Sequence, residues 1–147
     1  MGYRMKTLKY YFIYDSVQEG TFTNSATANT AISTGAGIGV NPLPNYAGDY
    51  TYIAEVDVTG ASAPGTIYIY FTTGSVPPVG QPPNAGDSLL AEINYGTGAF
   101  RYKAICATPP SNQGTFYLAI SSGTASSTIS IAQFLLTTIV TLFVFKA

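Results

Sequence analysis

Glu55 and Asp57 stand two residues apart in TYIAEVDVTG, where paired carboxylates could act together. On an extended strand, i and i+2 share a face and lie about 7 Å apart. A pair of acids at such a spacing could serve a glycosidase. Arg101 and Lys103 repeat the spacing in AFRYKAICA. Opposite charges facing one another across two strands stabilise a sheet, so a solvent-facing ladder of Glu55 and Asp57 against Arg101 and Lys103 is the favoured expectation.

The rest of the sequence offers little further chemistry. It contains no histidine, so the commonest general base, metal ligand and triad partner is missing. Its serines therefore have no evident activator. The other carboxylates, Asp15, Glu19, Asp49, Asp87 and Glu92, are scattered, and nothing follows the spaced Asp/Asn pattern of a calcium loop. AGD recurs at 47–49 and 85–87 as a turn-like element, and GAGIG at 35–39 lacks the Lys-Ser/Thr ending of a phosphate loop. Cys106 is the single cysteine and alternates with Phe100, Tyr102 and Ala104. That phase marks a small core residue, with no internal disulfide to form. The expectation is a protein that is not an enzyme, with no catalytic residues, metal or cofactor.

Aromatic residues offer a binding chemistry instead. Tyr68, Tyr70 and Tyr117 fall on the outward phase of their strands and could form a glycan platform, as in carbohydrate-binding sandwich modules. The absence of tryptophan and the strand propensity of tyrosine weigh against it.

The elements that would carry these residues are strands. YTYIAEVDVT, TIYIYFTT, SLLAEINY, AFRYKAICA and TFYLAIS alternate with period two, separated by turn-forming Gly, Pro and Asn clusters. TLKYYFIYDSV reads as another strand, EGTFTNSA and TANTAIS as shorter ones. No segment has helical periodicity with a cap. The pattern predicts an all-β, antiparallel β-sandwich over residues 1–147 as one domain, a single jelly roll of about 8–9 strands. An immunoglobulin-like sandwich is disfavoured by one cysteine and no tryptophan. The loop GSVPPVGQPPNAGD carries two Pro-Pro pairs and leans towards extended conformation, either as a stiff connection or as a contact loop. At the N-terminus Asp15 and Glu19 interrupt any secretory signal, and Lys6 stands where a myristoylation signal needs Ser or Thr. The chain is expected to stay in the cell that makes it.

The ending SIAQFLLTTIVTLFVFKA reads differently. Its apolar run from Ile131 to Phe145 is shorter than the ~20 residues of a spanning helix, and its threonines and β-branched residues favour a strand. Strict alternation puts Ile129, Ile131, Leu135, Ile139, Phe143 and Phe145 on one face. Phe134, Leu136, Val140, Leu142 and Val144 fall on the other. Both faces are apolar, yet a two-layer sandwich covers only one. The second set is therefore expected to be a subunit interface, with 1–20 and 130–147 as contact segments. A charged fraction of 9% fits a surface covered by copies of the chain, and a net charge of −1 points to no nucleic-acid partner.

In strand number and loop pattern, residues 45 to 145 resemble single jelly-roll capsid or turret-type structural proteins of viruses. The resemblance implies cyclic or shell-like homo-oligomers, no cofactor, and no particular functional residue. The expected function is a self-assembling structural protein of a virion (capsid, vertex or spike), whose partners are copies of itself and other coat proteins. The alternatives are an extracellular filament or cell-surface subunit joined by donated strands, and a carbohydrate-binding module.

Overall fold

The computed structural model describes the backbone of residues 4–16, 20–23, 30–33, 48–111, 113–124 and 126–146, and the side chains of 21, 23, 50–111, 113–124 and 126–139. Among these residues there are nine strands and no helix. They are β1 (Arg4–Ser16), β2 (Gly20–Thr23), β3 (Thr30–Ser33), β4 (Gly48–Ala61), β5 (Gly65–Thr72), β6 (Ser88–Tyr95), β7 (Phe100–Cys106), β8 (Thr115–Ser121) and β9 (Thr128–Lys146).

The strands form two antiparallel sheets, as expected for a β-sandwich. One runs β1-β9-β4-β7, with β2 also paired to β9; the other runs β3-β8-β5-β6. β1 pairs with residues 134–146 of β9 and β2 with residues 128–131, so the two lie in succession along one edge of β9. The pairings nest: β5 with β6, β4 with β7, β3 with β8, and β1 with β9.

Alternation supplies the core. Tyr52, Ala54, Val56 and Val58 of β4 face Ile67, Ile69 and Phe71 of β5 and Phe116, Leu118 and Ile120 of β8 in one apolar cluster. Tyr52 packs on Phe116, with ring centroids 5.4 Å apart, and Phe71 meets Phe116 edge-on at 5.5 Å. The β6 and β7 side is laced by the Ala107 N–H donating to the Leu90 carbonyl at 2.9 Å and the Gly96 N–H donating to the Tyr102 hydroxyl at 3.1 Å. The turn between these strands includes Gly98 at φ 97°, a conformation glycine adopts without strain.

β9 departs from strict alternation. Against β4 its register runs Asp57↔Gln133 and then Val58↔Ile131, leaving Ala132 without a counterpart. This one-residue bulge shifts the phase of the strand. Ile129 and Ile131 before it, and Phe134, Leu136 and Thr138 after it, are consequently all buried. Thr59 is the matching extra residue on β4, and its hydroxyl donates to the Ser130 carbonyl at 3.3 Å.

The bulge overturns part of the expected subunit interface. Phe134 and Leu136, 1% and 0% exposed in the single chain, belong to its own core. β9 lies between β1 and β4, and its inner face packs against the second sheet, so these two side chains need no neighbour. The side chains of Val140, Leu142 and Val144 lie outside the described residues.

Candidate functional site

The outer face of the five-stranded sheet gathers the residues that the sequence put forward for chemistry. Register places Glu55 opposite Lys103 and Asp57 opposite Arg101. Arg101 bridges both acids, at 3.3 Å from Glu55 and 3.4 Å from Asp57, and Lys103 Nζ lies 4.0 Å from Glu55. The carboxylates thus form the expected cross-strand ladder. With Arg101 between them, they do not frame an open site of the kind a glycosidase uses.

One step along the strands the face changes character. Ile105 pairs with Ile53, Ile53 with Thr137, and Thr137 with Ile13, so one row crosses all four strands. Ile105 is 73% exposed, the most exposed large apolar side chain among the described residues, and Ile53 is half-buried beside it. Thr51 and Ile139 pair in the next row and Glu55 and Leu135 in the preceding one, all of them half-buried. The outcome is an apolar band flanked by the charge ladder. Sequence reasoning missed Ile53 and Ile105, although a signal was there. Each is an isoleucine in the polar phase of its strand, in line with Glu55 and Asp57 or with Arg101 and Lys103.

The tyrosines meet on the outer face of the other sheet. Tyr70 pairs with Tyr117 and stacks on it at 5.6 Å with 15° between the rings, and Tyr68 lies 6.4 Å from Tyr70. Only Tyr68 and Tyr70 remain partly accessible. Tyr117 is fully buried, and its hydroxyl donates to the Asp87 carboxylate at 2.6 Å. Burial first, then the hydrogen bond to Asp87 and its negative charge, push the Tyr117 phenol far above its ordinary value. Tyr117 is therefore not a glycan platform but the anchor of the double-proline loop, whose last residue is Asp87. The loop is further tied down by the Asn84 amide donating to the Ser75 carbonyl at 2.8 Å, and Pro77 is buried.

Cys106 is a buried free thiol at the edge of the core, and burial pushes its pKa up to about 11. A thiol so far from thiolate formation at neutral pH is a poor nucleophile. Among the described residues no group of histidine, cysteine or carboxylate side chains could hold a metal ion, and no helix is long and apolar enough to cross a membrane.

No protein-family model and no curated protein matches the chain. Among solved structures it is similar to one described as "Structure of infectious bursal disease virus Gx strain", at 17% identity and a TM-score of 0.21, over 98% of this chain. The chain spans 36% of the length of that one, and a superposition of this quality does not establish a shared fold.

Proposed function

We propose that the chain is a self-assembling structural protein, a virion subunit built on a single jelly roll, and not an enzyme. The observation that carries this reading is the apolar band across the outer face of the five-stranded sheet. A face bearing Ile105 at 73% exposure beside half-buried Ile53, Leu135 and Ile139 is the kind of surface that soluble chains cover with a partner. The band lies across neighbouring strands of one sheet face, which suits tiling of identical copies. The nested pairing supports the jelly-roll topology. A long hairpin that folds over on itself brings its first and last strands together, here β1 and β9, and leaves its innermost hairpin, β5 and β6, in the opposite sheet. The partners in this reading are copies of the chain and other coat proteins.

Replacing Ile105 by Asp tests it. Size-exclusion chromatography with light scattering should show the natural chain as large species and the variant as much smaller ones, with an unchanged far-ultraviolet circular dichroism spectrum. A natural chain that stays monomeric at all concentrations would sink the proposal.

A further inference from the structure

Four of the six cations of the chain, Arg4, Lys6, Lys9 and Lys146, lie within residues 4–10 and 140–146, and those two stretches contain no Asp or Glu. The β1–β9 ladder brings the stretches together, pairing Arg4 with Lys146, Lys6 with Val144 and Lys9 with Thr141. β4 reaches only as far as Leu142, so residues 143–146 have β1 as their sole ladder partner among the described residues. Among the described residues the sheet therefore ends as a two-stranded ribbon of residues 4–7 with 143–146, which carries Arg4, Lys6 and Lys146 and a formal charge of +3. The remainder of the chain keeps three cations against seven carboxylates, a formal −4.

We infer that the basic ribbon of one copy docks on the acidic body of a second copy, head to tail; the inference rests on the self-assembly reading and names its polar contact. Three observations carry it. A two-stranded ribbon is marginal by itself and gains from being covered. Arg4 directly opposite Lys146 sets like charges across the ladder, an arrangement that costs stability unless an anion lies near. The charges of ribbon and body are nearly equal and opposite, so each contact between copies neutralises both. That balance favours a second copy over a nucleic acid, whose binders usually carry a net positive charge. Because two different patches meet, the contact is heterologous and propagates into rings or open arrays. On the body, Glu92 is an exposed acid, on the edge strand β6 of the second sheet.

The test begins with the natural chain, followed by light scattering from about 50 mM to 1 M NaCl, where screening shortens from more than 10 Å to about 3 Å. Assembly should weaken by about tenfold or more. The double variant Arg4→Glu/Lys6→Glu, which turns the ribbon from +3 to −1, should fail to assemble at low salt. A second variant, Asp57→Asn/Glu92→Lys, takes the body from −4 to −1 and should also assemble weakly at low salt. Assembly that ignores both salt and the ribbon reversal would overturn the inference while leaving self-assembly standing. So would a ribbon reversal that leaves assembly intact but abolishes binding to a single-stranded oligonucleotide or to phosphatidylserine vesicles. A natural chain monomeric at every salt concentration would instead remove the reading on which the inference rests.

Discussion

At the scale of single residues, burial separates packing from exposure and makes distinct predictions. Phe134→Ala should cost about 3–5 kcal/mol in urea denaturation, since the ring is closed inside the core of one chain. A side chain reserved for a neighbour would cost the monomer little. Thr138 is buried and its hydroxyl has no hydrogen-bond partner. Replacing it with Val removes an unsatisfied polar group at nearly constant shape, and the unfolding midpoint should rise by an equivalent of about 1 kcal/mol. Cys106 and Tyr117 both hold their protons more tightly in the fold than in the unfolded chain. As pH rises, the unfolded state loses those protons first, so stability present below the ordinary thiol value must fall above it. Chemical denaturation between pH 8 and 11 should show a decline beginning near pH 9, and Cys106→Ala should delay its onset towards the phenol range. Arg101→Ala should change stability by less than about 1 kcal/mol, despite two ion pairs, because the guanidinium is 56% exposed.

At the scale of elements, the bulge at Ala132 decides which side of β9 is inside. Deleting Ala132 would place Ile131 two positions from Phe134, so that Ile129, Ile131, Phe134 and Leu136 share the inner face of a regular strand. The shortened chain should therefore keep its near-ultraviolet circular dichroism. Five strands, β4 to β8, were legible from their apolar alternation, although β6 slips phase at Leu90, which is buried beside an exposed Leu89, and β8 is buried on both faces. The ladder of Glu55 and Asp57 with Arg101 and Lys103 was legible for the same reason. β9 was legible as a strand but not in its facing, since a bulge leaves no mark in a run where every residue but Gln133 is apolar or threonine. The tyrosine cluster was placed on the right face, yet burial of Tyr117 depends on a loop closing over it. That hydrogen bond joins Asp87 to a residue thirty positions away, and no local pattern announces it.

At the scale of the whole molecule, an assembly closed over the apolar band would couple stability to concentration. The melting temperature of the natural chain should climb with protein concentration, by mass action, and that of Ile105→Asp should stay flat. Differential scanning calorimetry over a hundredfold range of concentration reads the difference directly.

The nested pairing also sets a timetable. β5 and β6 are joined by a loop of fifteen residues and can meet as soon as both have left the ribosome. β1 must wait for β9, across more than a hundred intervening residues, before its thirteen-residue ladder can form. Contacts of such long sequence separation form slowly, and until they do the apolar face of β9 is open to other nascent chains. Folding should therefore proceed from the innermost hairpin outward, finishing with the two strands that make the ribbon. The segment inferred to reach another copy is then the last to take shape, so the head-to-tail contact can form only on a molecule that is otherwise built.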